Sequence, residues 1–263
     1  MAVVIAATAA VVACEGNISL PGQNATWGFL TVAAAKSSTG DYKSSPLAQF
    51  FKGNLSSVPN AQIVFDSCVP GLSFADASEI VGGVNFLDAG PHVALQIGAT
   101  MDTLPRISGS LNTIYQKAAL SPVSYTPGDS IVLTVPGATG GYPASEIRGK
   151  TAEPFTNDAV VAPSGTETIQ FRWTTASDLN SAMIISMRYA RAQDNGKLTQ
   201  QVLCAFTDDG VDSVPYRNHR SWSDATNTKR EVVFTRLRTS IKAQNDGVLE
   251  IISRFQTPTP TIN

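Results

Sequence analysis

The sequence predicts an all-β protein built as two packed β-sandwich domains. Three observations lead there. Helical periodicity is scarce along the 263 residues,. Short β-branched and aromatic runs alternate with Gly, Pro, Asn and Asp at the intervals typical of sandwiches. Charged residues are only 15% of the chain, against about 25% in an average soluble domain; Ala, Ser, Thr, Val and Gly take their place. This length allows one or two domains.

In order, residues 1–14 read as a signal segment and 15–24 as a polar, Gly- and Asn-bearing tether. The first β domain spans 25–120, with strands expected at Ala25–Ala34, Ala61–Asp66, Val84–Leu87, His92–Ile97 and Asn112–Lys117. Asp88-Ala-Gly-Pro91 reads as a tight turn feeding a half-buried strand,. Helical spacing is approached only at Ser45–Lys52, with a turn near Ala75–Ile80. The second domain, 121–256, opens on Tyr125-Thr-Pro-Gly-Asp129, a turn leading into the alternating strand Ile131–Val135,. Further strands are expected at Glu146–Lys150, Glu167–Trp173, Ala182–Ala190, Leu198–Thr207, Asp212–Val214, Glu231–Thr239 and Val248–Gln256. Asn245-Asp246-Gly247 is the strongest hairpin signal in the chain,. Residues 257–263, with Pro at alternate positions, form an extended tail,.

Residues 121–256 resemble an immunoglobulin-like or fibronectin-type sandwich. The turn at Pro127-Gly128-Asp129, Trp173 ending a strand that also carries Ile169 and Phe171, and Cys204 in a late strand carry the likeness. The Cys…Trp…Cys order of immunoglobulin domains is absent, because Cys68 precedes the domain. The layout is also similar to uncharacterised bacterial exported proteins with such domains, a likeness that implies no activity.

Val11-Val12-Ala13-Cys14 closes an apolar run that begins at Met1. It resembles the lipobox of bacterial lipoprotein precursors, where the signal peptide is cut and the Cys acylated. The run is too short to span a bilayer, which takes about 20 residues, and has the length of a signal-peptide apolar region. No Lys or Arg precedes it. A buried strand or helix ending in Cys is the other reading. The resemblance implies lipidation at Cys14, an N-terminal membrane anchor and a place in the bacterial cell envelope. With Cys14 assigned to lipid, Cys68 and Cys204 are candidates for a bridge in an oxidising compartment, or else buried free thiols,.

The net charge of −2 gives no electrostatic case for nucleic acid,. No Cys-x-x-Cys pair or His cluster suggests zinc, and no Gly-x-Ser-x-Gly elbow suggests a serine hydrolase,. Gly137-Ala-Thr-Gly-Gly141 opens no helix and reads as a loop. Asp208, Asp209 and Asp212 could hold calcium but lack the EF-hand spacing; a solvated turn explains them as well,. Arg236 and Arg238 read as a solvated sheet face. The candidate binding surface is the polar loop Tyr216–Trp222, with Tyr216, Arg217, His219, Arg220 and Trp222, because aromatic and Arg side chains dominate interface hot spots,. The alternative there is Trp222 folded back onto the sandwich. The expected function is a non-catalytic envelope lipoprotein with a structural or binding role, needing no cofactor, with an envelope glycan or protein as partner. The rival is an envelope hydrolase acting on glycan or peptide.

Overall fold

The computed structural model describes residues 25–37, 39–53, 65–73, 85–109, 113–117, 121–158, 160, 165–178, 180–244 and 247–258. The expected signal segment with Cys14, the expected tether and residues 259–263 of the expected tail lie outside them. The chain is all-β, as the sequence predicts. Its first half holds β1 (Thr26–Lys36), β2 (Tyr42–Ser44), β3 (Leu47–Lys52), β4 (Ser67–Ser73), β5 (Asn85–Phe86), β6 (His92–Ile97), β7 (Thr100–Ser108) and β8 (Thr113–Gln116). After residue 120 come β9 (Val123–Ser124), β10 (Ser130–Val135), β11 (Ser145–Lys150), β12 (Ile169–Arg172), β13 (Ala182–Ala190), β14 (Gln200–Thr207) and β15 (Val211–Val214). An α-helix, α1 (Tyr216–Ser223), then precedes the long hairpin of β16 (Lys229–Gln244) and β17 (Gly247–Pro258).

The main path of hydrogen-bonded strands runs β11-β10-β6-β7-β8-β3-β1-β17-β16-β13-β14-β4. It folds over on itself at β7. Residues 100–105 of β7 pair with β6, whereas Arg106–Ser108 pair with β8. The corner falls at Pro105, which has no N–H to offer a ladder. One layer is therefore β11-β10-β6-β7, and it packs over the layer from β3 to β4. A separate ribbon of β12 and β15, together with α1, covers the rest of the same inner face.

The expected boundary at 120/121 falls inside this network. β1 pairs in parallel with β17 from Thr26↔Gly247 to Ala34↔Phe255. β6 pairs with β10, and β4 with β14. The antiparallel pairing of β16 with β17 brings this about, because it slots β17 between β1 and β16. One core, with Leu30, Leu95, Ile131, Tyr142, Phe171, Met183, Trp222 and Phe234 among its buried members, then spans both halves.

Two local expectations change. Within Ser45–Lys52, Leu47–Lys52 is strand β3, not helix. Ala48 and Phe50 enter the inner core while Phe51 stacks on Phe29 outside it, so a strand apolar on both faces imitates helical spacing. Of the strand expected at Ala61–Asp66 only Phe65 and Asp66 are described, and they form a turn. Asp66 sits at φ 55° and its carboxylate accepts the Thr207 N–H. The segment Ala75–Ile80 lies outside the described residues.

The outer face of the large layer carries a second cluster, in which Trp27, Phe29, Val248 and Ile252 are buried. Glu250 lies in its midst, opposite Phe29 on one side and Ile241 on the other. Its side chain is buried, and Oε1 has no hydrogen-bond partner. Burial pushes its carboxyl up to about 8, because a dry apolar site disfavours the charged form. An acid with a raised folded value favours the fold most below its unfolded value, and that contribution is lost as pH rises towards the folded one. Melting curves between pH 5 and 9 are expected to show wild type losing stability up to about pH 8, with Glu250→Gln flattening the decline; identical profiles would contradict the dry carboxyl.

Candidate functional site

The residues of the expected binding loop fold as α1. Pro215 precedes the helix in extended conformation, where a residue without an N–H costs nothing. Helical spacing places His219 and Trp222 on one face, and both are completely buried. Trp222 donates its indole N–H to the Arg188 carbonyl at 3.1 Å, with the Arg230 guanidinium 5.7 Å from its ring centre. His219 Nε2 lies 2.9 Å from the Glu167 carbonyl, which can only accept, so Nε2 carries the proton and Nδ1 accepts from the Ser223 hydroxyl at 2.7 Å,. Burial holds its pKa below the usual imidazole value. Arg217 and Arg220 stay exposed, and Tyr216 is half-buried with its ring edge-on to His219. Trp222 and His219 thus bolt the helix to the core, and the set offers no continuous aromatic–arginine surface.

The arginines expected on a solvated face are buried instead. Arg236 and Arg238 stand on the inner face of β16, and Arg236 is fully enclosed. Arg236 Nε donates to Asp208 Oδ2 at 2.6 Å and Nη2 to Asp208 Oδ1 at 2.9 Å, a two-pronged pair,. Asp208 also accepts the Trp173 indole N–H at 2.8 Å and the Ser181 hydroxyl at 2.6 Å. The remaining guanidinium protons reach the carbonyls of Pro154, at 3.0 Å, and Thr174. The cation lies 5.2 Å from the Phe155 ring centre. Four chain segments meet on this one charge pair. Arg238 binds Asp178 at 2.7 Å, and Lys150 joins at 3.2 Å. The Asn180 N–H and these cations hold the Asp178 carboxyl far below the usual carboxylate range.

The three aspartates do not converge on a cation. Asp208 turns into the core, while Asp209 and Asp212 accept the nearby backbone N–H groups of Val211 and Ser213. Among the described residues no group of three or more His, Cys, Asp or Glu could hold a metal. Cys68 and Cys204 are disulfide-bonded, directly opposite one another on β4 and β14 with Cα atoms 4.0 Å apart. The bond pins the edge strand across a sequence separation of 136 residues. By loop-closure entropy a crosslink of that span stabilises the fold by about 5 kcal/mol.

The structure adds a cleft that the sequence did not reveal. Its volume is about 610 Å³, and Ala35, Lys36, Tyr42, Phe155, Thr156 and Thr257 are among its lining residues. That is within the usual range of ligand pockets, about 300–1,000 Å³. Tyr42 and Phe155 each pack edge-on against Phe255, at 5.7 and 5.8 Å between ring centres. Pro154 and Thr174, which also line it, are the residues whose carbonyls Arg236 holds. The back wall of the cleft is therefore fixed by the buried ion pair. The sequence signal, Pro154-Phe155-Thr156 between strands, is indistinguishable from an ordinary loop.

Among the described residues no helix is long and apolar enough to cross a membrane. The chain matches no protein-family model and no curated protein.

Replacing Trp222 with Ala removes a completely buried ring and its hydrogen bond. Such a cavity costs about 3–5 kcal/mol, so a large fall in melting temperature is expected. A loss under about 1 kcal/mol, the range of surface substitutions, would return Trp222 to the candidate surface.

Proposed function

We propose that this is a non-catalytic binding or structural protein of the bacterial cell envelope, tethered by lipid at Cys14, with the cleft between β1 and β17 as its binding site. The observation that carries the non-catalytic reading is the engagement of the groups that could do chemistry. Asp208 and Arg236 neutralise each other in the core, and both nitrogens of His219 are spent on Glu167 and Ser223. A general base must reach a substrate proton, and His219 is enclosed. The Cys68–Cys204 bond supports an oxidising compartment, where such bonds persist,. That compartment agrees with the lipobox-like Val11-Val12-Ala13-Cys14. The cleft supports binding, because aromatic edges, threonine hydroxyls and one lysine surround it without a carboxylate pair of the kind glycoside hydrolysis needs,.

Detergent phase partitioning of the expressed full chain tests the anchor, and retention on isolated envelopes tests the cleft. Wild type is expected in the detergent phase and Cys14→Ser in the aqueous phase. The aqueous Cys14→Ser protein should still be retained by envelopes, and adding Thr156→Trp, which fills the cleft, should abolish retention. Aqueous partitioning of wild type would overturn the anchor. Retention indifferent to Thr156→Trp would remove the cleft as the site.

A further inference from the structure

From the way the sheet opens at the cleft, we infer that the site takes an extended peptide segment bearing a carboxylate, added as a strand between β1 and β17. This rests on the reading of the cleft as the binding site and names its ligand class. The parallel ladder of β1 and β17 ends at Ala34↔Phe255. Beyond that point each strand keeps its outer neighbour only. Ala35 and Lys36 pair with Lys43 and Tyr42 of β2, and Gln256 and Thr257 pair with Thr235 and Phe234 of β16. Beyond Ala34↔Phe255 the two inner edges no longer pair with each other, and no described strand pairs with either of them where the cleft lies.

Backbone N–H and C=O groups are obligatory hydrogen-bonding groups, and an open sheet edge is a template for strand addition. Across the cleft, backbone groups of Pro154, Thr156 and Thr174 are already spent. Thr174 N–H donates to the Thr156 carbonyl, Thr156 N–H to the Thr174 hydroxyl, and the Pro154 and Thr174 carbonyls face Arg236. The ladder groups on offer are those of β1 and β17. Lys36 is the one charged side chain among the lining residues, which include no acid. Its ammonium is complementary to a carboxylate on the incoming segment, and Tyr42 offers ring surface to a neighbouring apolar side chain,. A glycan would use the rings and hydroxyls but could not complete two ladders.

Backbone amide NMR shifts of the folded chain distinguish these ligands. The probes are a hexapeptide library with a fixed central Glu, the same library with Gln, the Glu library N-methylated along its backbone, and chitohexaose. The Glu library is expected to shift the amides of Lys36, Gln256 and Thr257, at least tenfold more tightly than the Gln library. N-methylation, or Lys36→Glu in the protein, should abolish the shifts. Peptide binding that survives N-methylation would overturn strand addition. Shifts at these amides with chitohexaose but not with peptides would overturn the peptide inference and leave the cleft as a binding site. Silence with every probe would overturn both.

Discussion

The ion pair between Arg236 and Asp208 is the constraint on which this architecture depends. Two charges removed from water are costly unless every donor and acceptor finds a partner. Here they do: Asp208 has the guanidinium, the Trp173 indole and the Ser181 hydroxyl, while Arg236 has Asp208 and the Pro154 and Thr174 carbonyls. Those partners come from connections that no sheet ladder fixes. Satisfying the pair therefore means placing those connections, and with them the wall of the cleft. A hydrophobic substitute could match the burial but would not specify where the carbonyls go.

The sheet around the pair is closed by two long-range devices. The β16–β17 hairpin inserts beside β1 in parallel, so the beginning and end of the described chain share one ladder. At the opposite edge the Cys68–Cys204 bond holds β4 to β14. The same insertion that closes the fold also bounds the cleft, because the β1–β17 ladder ends at Ala34↔Phe255 and beyond it each strand keeps only its outer neighbour, β2 or β16. Closure and cleft are thus two consequences of one strand order.

The all-β class and many of the strands are legible in the sequence because alternation and turn chemistry are local. β6 and β10, each alternating along its length, emerge where the pattern places them. What is not legible depends on distant partners. Phe50 and Phe51 serve opposite faces of a strand, which only the neighbours β1 and β8 decide. Arg236 looks solvated because nothing near it in sequence predicts Asp208, 28 residues away, beneath it. The helical spacing of His219 and Trp222 is present in the sequence, but eight residues between two strands are too short for periodicity to separate a helix from a loop,. The cleft is formed by Ala35, Phe155, Thr174 and Thr257, four remote positions without a shared motif.

Hydrogen exchange on Arg236→Met tests the role of the ion pair most directly. The Thr156 and Thr174 amides, which bond across the two connections that Arg236 gathers, are expected to lose protection in the variant. Global stability should fall by about 3–5 kcal/mol, the cost of leaving a buried charge unpaired. Unchanged exchange at both amides, with stability within about 1 kcal/mol of wild type, would show that the connections and the cleft wall are held by other means.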